Sequence, residues 1–212
     1  MPRSDTAPPQ AAPRRADFVR RRREVIDTFL DLVLAGDPSP DVASIAGGAG
    51  VSRASVFRYF ETLEELRTEA MGRVLERFAD LFEIEAPSST GTDARVAAFV
   101  DSRLRFHARL HPLALLQRHH AVDSGNAAAL VDASRNLLAD QVRSYFGREL
   151  GHLSRARQDD AVVTIAVLTS VESWHQSHHS HGRSQAQIRR AWISAIAAVF
   201  AGVGAHPHGE PT

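Results

Sequence analysis

The sequence predicts an all-α fold, and three observations carry that expectation. Strand signals are almost absent, because no turn dipeptide is flanked by alternating apolar residues. Apolar residues recur instead at helical spacing, in one stripe after another. Glycines and capping residues fall at the ends of those stripes, where helices stop and start. A length of 212 residues with 43% hydrophobic content suits one helical protein with a small domain attached.

The elements follow in order. From about Arg15 to Ala35, Val25, Ile26, Phe29, Leu32 and Val33 share one face, and Gly36 sits where a glycine ends a helix. Ser39-Pro40-Asp41 then reads as an N-cap, a proline at the first position and an acid in the first turn. Gly47-Gly48 ends this second helix, and Ala49-Gly50-Val51 makes a tight connection. Ser52 caps a third helix running to about Phe60, and Thr62-x-x-Glu65 is a capping box that opens a fourth. Its stripe is Leu63, Leu66, Ala70, Val74, Phe78 and Leu81. Ala86 to Thr92 is a composition break that marks a domain boundary. Beyond it, helices are expected at Asp93 to Leu110, Pro112 to His120, Asn126 to Leu150, Gln158 to His179 and Ser184 to Gly202.

Composition narrows the chemistry. There is no cysteine, which excludes disulfides, thiolate metal sites and a cysteine nucleophile. All 25 basic residues are arginine and balance 25 acids. The balance hides an asymmetry: residues 1–23 carry seven arginines against two aspartates, so the remainder is acidic. A basic arm on an acidic body points to polyanion contact at one end. The first residues do not read as a signal peptide, and the most apolar stretch, Trp192 to Ala205, is too short to span a bilayer. The chain therefore reads as cytoplasmic, with no membrane partner.

Ser39 to Phe60 has the layout of a helix-turn-helix. A helix fits the major groove, and its N-terminal residues present side chains to base edges. Ser52, Arg53, Ser55 and Arg58 supply donors there, while Val51, Val56 and Phe60 would pack inward. The pattern Ile45-Ala46-x-x-Ala49-Gly50-Val51-Ser52, then Ser55-Val56-Phe57-Arg58-Tyr59-Phe60, then Leu66, resembles the tetracycline-repressor (TetR) family of transcriptional regulators. The resemblance covers roughly residues 17–75. It implies base or phosphate contacts by Ser52, Arg53 and Ser55, a phosphate contact by Tyr59, and flanking roles for Ser39 and Ser44. Phe57, Glu61 and Leu63 depart from the family pattern, so two backbone contacts are missing. The arm, Arg14, Arg15 and Arg20 to Arg23, with Arg20 and Arg21 foremost, is expected to compensate.

The organisation expected is a disordered basic arm (1–16), a three-helix helix-turn-helix domain (17–61), a connecting helix (62–85), a regulatory and dimerisation domain (86–204) and a flexible tail (205–212). A regulator of this kind reads a palindromic operator in double-stranded DNA as a homodimer. The last two helices supply the dimer surface through Ala161, Ile165 and Trp174, with Ile188, Trp192, Ile196 and Val199. The family also implies a cavity for a small-molecule effector, which releases a repressor from DNA. Candidates are Phe99, Arg103, Phe106, His107, Leu116, His119, Gln141, Tyr145, Thr164, Leu168 and Glu172.

Two alternatives remain open. All 11 histidines lie after residue 106, and His175, His178 and His179 share a helical face. That spacing suits a metal, zinc or nickel, in a metal-sensing regulator; otherwise no cofactor is expected. A helical adaptor whose helix-turn-helix has degenerated is the other. No catalytic residues are expected: Ser52 lies in a Gly-x-Ser-x-Ala sequence, but after a helix and not after a strand.

Overall fold

The computed structural model describes residues 11–84 and 91–204, with side chains described for 15–84 and 91–202. The first ten residues of the expected arm, the Arg14 side chain, most of the Ala86–Thr92 boundary and the expected tail lie outside these. The described residues are helical, with no strand among them. The chain divides into two compact units, Met1–Glu76 and Arg77–Thr212.

The first unit is built from α1 (Ala11–Leu34), α2 (Val42–Gly48), α3 (Arg53–Tyr59) and most of α4 (Leu63–Arg77). Helix α1 starts at Ala11, several residues earlier than its apolar stripe suggests. Val25, Phe29, Leu30 and Val33 of α1 are buried with Ile45, Val56, Phe60 and Leu66. Asp41 is the N-cap of α2, in place of the expected Ser39. Its carboxylate accepts from the Ser44 backbone N–H at 2.7 Å. Asp37 has already taken the Ser39 N–H, at 3.0 Å, and Pro40 is buried. A Cβ built on Gly48 would come within 2.6 Å of Thr28 Cγ2, so any larger residue there requires the Thr28 side chain to move.

The second unit comprises α5 (Ala79–Phe82), α6 (Thr92–Ala121), α7 (Gly125–Tyr145), α8 (Gly147–Leu150), α9 (Arg155–Leu168), α10 (Val171–His175), a π-helical turn (Gln176–Ser180) and α11 (Gln185–Gly204). Phe99, Val142, Phe146, Ile165, Trp174, Trp192 and Ile196 are members of its buried core.

Three helix boundaries differ from the sequence reading. The expected break at Pro112 does not occur: α6 runs through it. Proline removes one backbone donor, but Leu110, Leu113 and Leu116 are buried on both sides and hold the helix together. The long helix expected over Gln158 to His179 is interrupted. The Thr169 hydroxyl bonds back to the Ile165 carbonyl at 2.8 Å, and Ser170 caps a fresh helix by accepting from Ser173 N–H at 3.1 Å. The helix expected over Asn126 to Leu150 ends at Tyr145, with short α8 following.

Candidate functional site

The helix-turn-helix is assembled by short-range bonds. Gly50 adopts φ 64°, a left-handed conformation that a side chain would strain. The Val51 N–H then reaches back to the Ala46 carbonyl at 3.0 Å. Ser52 caps α3: its Oγ accepts from the Ser55 N–H at 3.1 Å and lies 3.0 Å from Ser55 Oγ. Val56 and Phe60 face the core, while Arg53, Ala54, Phe57 and Arg58 stand in solvent. Phe57, a large apolar ring, is 54% exposed on this helix. Tyr59 is turned inward. Its ring packs edge-on against Phe18, with 5.1 Å between centroids, and its hydroxyl accepts from Arg58 at 3.2 Å. Ser39 and Ser44 are exposed, Ser39 ahead of α2 and Ser44 in its first turn.

The arm arginines divide. Arg20 pairs with Asp17 and with Glu24 at 2.7 Å, and Arg21 pairs with Glu24 at 3.2 Å. These pairs are exposed and individually weak, so phosphate can displace the carboxylates. Arg22 has a different job. Its guanidinium pairs with Glu69 and with Glu65, lies 4.4 Å from the centre of the Phe60 ring, and its Nε donates to the Tyr59 carbonyl at 3.1 Å. It ties α1 to the end of α3 and to α4, and is not available to DNA. Arg23 pairs with Glu76 at 3.0 Å.

In the second unit, Arg103 and His107 stand one turn apart on α6 and are 2% and 1% exposed. Among the described residues no carboxylate pairs with Arg103. Its Nη2 donates to the Leu138 carbonyl at 2.7 Å, and its charge lies 5.0 Å from the centre of the Phe99 ring. Burial pulls its pKa down to about 9. The break after α9 leaves the Thr169 carbonyl facing His107 Nε2 at 2.9 Å, so Nε2 carries the proton and Nδ1 is a bare acceptor. Burial lowers the His107 pKa to about 3. Arg103 Nε, His107 Nδ1 and Trp174 Nε1 are buried with no hydrogen-bond partner among the described residues. His107 and Trp174 rings are 6.1 Å apart.

Other expected effector residues fall differently. His119 and Thr164 are exposed, which removes them from an interior site. Phe99 packs on Tyr145 and Phe146, and the Tyr145 hydroxyl donates to the Arg95 carbonyl at 2.9 Å. Gln141 donates to the Phe82 carbonyl, so its amide is also engaged. Phe106 packs edge-on against Phe82 at 5.0 Å. Leu116 is buried and Leu168 half-buried. Glu172 accepts from Arg118 and Arg135, each at 2.9 Å, beside a groove of about 420 Å³ that Val163 and Val167 also line. Although burial opposes it, those hydrogen bonds hold the Glu172 pKa down at about 2.

The expected dimer surface needs correction. Ala161, Ile165, Trp174, Ile188, Trp192 and Ile196 are buried in the protomer's own core, and Val199 is packed against it. The six core residues have no surface left for a partner, and Val199 is half-buried. The exposed apolar positions of α9 are Val163 and Val167, 58% and 65% exposed.

The histidine set also changes. His178 turns away to bond the Arg183 carbonyl through Nδ1 at 2.9 Å. His111, from α6, joins His175 and His179 instead. The His111 pKa is lowered to about 4 by burial and by the neighbouring histidines.

Among the described residues, an N-terminal helix-turn-helix and a second, larger helical unit are the parts of a helical DNA-binding regulator. Solved structures narrow it. The chain is similar to a TetR-family transcriptional regulator from Streptomyces coelicolor, with 25% identity, a TM-score of 0.72, and coverage of 88% of this chain and 83% of that one. A transcriptional regulator from a Rhodococcus species matches over 90% of this chain and 99% of its own, at 16% identity and TM-score 0.64. A TetR transcription regulator from Haloarcula marismortui matches over 87% and 98%, at 15% identity and TM-score 0.61. No family model and no curated protein matches the sequence. In its fold and its helix-turn-helix motif, the chain is similar to TetR-family transcriptional regulators. No helix among the described residues is long and apolar enough to cross a membrane.

Proposed function

We propose that the protein is a dimeric repressor that reads a palindromic operator and is released by a small molecule carrying an anionic group. The observation that carries the DNA reading is α3. It is capped by Ser52, fixed from behind by Val56 and Phe60, and presents Arg53, Phe57 and Arg58 outward. Arginine is the side chain best matched to a guanine edge. The free N-terminal amides of such a helix also favour phosphate.

The dimer reading is supported by Val163 and Val167, one turn apart and exposed on α9, and by the small exposed residues Ala191, Ser194, Ala197 and Ala198 of α11. Small residues let two helices of a bundle approach closely. The effector reading is supported by Arg103, a buried cation that no acid neutralises, together with two more unpaired buried nitrogens nearby. A carboxylate or phosphate would accept from the two donors among these, Arg103 Nε and Trp174 Nε1.

The test is selection of bound sequences from a random duplex library, followed by affinity measurements. The wild-type chain should enrich an inverted repeat. Arg53→Ala should cost ~1–3 kcal/mol on the selected site and relax base preference within each half-site. Failure to enrich any sequence over bulk DNA would overturn the proposal.

A further inference from the structure

Three imidazoles from three elements meet in the second unit: His111 of α6, His175 of α10 and His179 of the π-helical turn. Their ligand nitrogens all lie within 4.8 Å of one another. His111 Nε2 is 2.8 Å from His175 Nδ1. The His111 ring stacks on His175 and on His179, both at 5.0 Å between centroids, with interplanar angles of 23° and 16°.

From this geometry we propose that His111, His175 and His179 form a binding site for a divalent transition metal of the zinc class, with one coordination position left open. Zinc binds imidazole nitrogen at ~2.0–2.1 Å, which in tetrahedral geometry sets ligand nitrogens ~3.3 Å apart. The observed separations, from 2.8 Å up to 4.8 Å, bracket that spacing. The adjustment needed is about 1.5 Å by the same arithmetic, and His179, which is exposed, can supply it by side-chain rotation.

The local fold is arranged around this set. A π turn bonds residue i to i+5 and is therefore wider than an α turn, and such turns are frequent at functional sites. Here the His181 N–H reaches the Gln176 carbonyl at 3.0 Å, five residues back. The turn holds His175 and His179 with 4.8 Å between ring centroids. Trp174 covers one side of the cluster, 4.8 Å from the His111 ring and 5.7 Å from His179. The nearby acid, Glu172, is engaged by Arg118 and Arg135. The ligand set is thus three neutral nitrogens, which suits zinc, copper or nickel and not magnesium or calcium. An ion here would join α6 to α10, 64 residues further along the chain, and to the π turn that follows it.

The test uses the full-length chain without a purification tag, stripped with EDTA, dialysed and titrated with zinc sulfate by calorimetry. Cobalt(II) serves as a visible probe of coordination. Expected are saturation at one ion per chain and intensified cobalt d–d bands of a four-coordinate site. His179→Ala, at an exposed position, should weaken zinc binding at least ~100-fold, beyond the ~10–100-fold cost of losing an outer-shell partner. His111→Gln should do the same. His178→Ala and His181→Ala should leave affinity within ~3-fold, because neither supplies a ligand. No saturable binding, or equal binding by the wild type and His179→Ala, would overturn the site. So would equal loss in His178→Ala, which would mark diffuse capture by a histidine-rich surface.

Discussion

Replacing Arg103 with methionine should make the protein more stable. The guanidinium is 2% exposed and faces no carboxylate among the described residues, and burial lowers its pKa by more than three decades, to about 9. At ~1.4 kcal/mol per tenfold, that displacement corresponds to about 5 kcal/mol of desolvation carried by the native state. Two contacts offset part of it. The charged hydrogen bond to the Leu138 carbonyl, 2.7 Å long, returns ~1.5–3 kcal/mol. The contact with the Phe99 ring returns ~0.5–2 kcal/mol. Methionine has a similar reach and no charge, and Leu138 lies inside α7, where its carbonyl keeps its helical partner. The net expected is a gain of about 2 kcal/mol. In a chain of this length that raises the melting temperature by ~4–8 °C. Thermal and urea unfolding followed by circular dichroism would measure it. The same variant should no longer respond to an anionic effector in an operator-release assay. A loss of stability of ~1 kcal/mol or more would refute the argument, because it would mean that the buried charge is compensated within the protein.

Three further outcomes follow from the same structure. His107 is held neutral, with its pKa lowered to about 3 against 6.5 when unfolded. Below pH ~6.5 the unfolded chain takes up a proton that the folded chain refuses, so stability is intact above that pH and falls by ~1.4 kcal/mol per pH unit beneath it, or about 2 kcal/mol at pH 5. His107→Gln should flatten that slope in urea titrations run with EDTA, and an unchanged slope would assign the loss to other groups. Gly48→Ala should cost ~1–3 kcal/mol through overpacking against Thr28, although alanine normally favours a helix. In a Thr28→Ser background, which lacks Cγ2, most of the loss should vanish, and a loss of the same size in both backgrounds would clear the contact of blame. If the wild type is the proposed dimer, glutamate at Val163 and Val167 together should shift it to monomer in light scattering, with each unit still folded; a dimer that persists would place the interface elsewhere.

The helix-turn-helix was legible in the sequence because what makes it is local. Ser52 caps Ser55, Gly50 takes the left-handed turn, and Val51 reaches back five residues to Ala46. Each of these interactions joins residues a turn or so apart, and residue type and spacing reveal them. The same locality explains why α6 was misread at Pro112: the missing donor is visible in the sequence, but the flanking leucines' burial is not. Stripes likewise reveal that a residue is buried without revealing what buries it. Ile165, Trp192 and Ile196 were recognisable as interior positions, yet the protomer's own core occupies them, leaving Val163 and Val167 outside.

The sequence by itself therefore determined the helical class, the capping of α2 and α3 to within a residue or two, and the inward packing of Val56 and Phe60. Tertiary structure alone decided the pairings. It drew Arg22 out of the basic arm into a bridge with Glu65 and Glu69, more than forty residues away. It left Arg103 buried without an acid, and it brought His111 to His175 in place of His178. The physical reason is one of range. Capping, turn formation and amphipathic spacing act over a few residues and are written along the chain, whereas charge compensation and ligand geometry depend on which helices pack together, and many packings satisfy the same pattern of apolar residues.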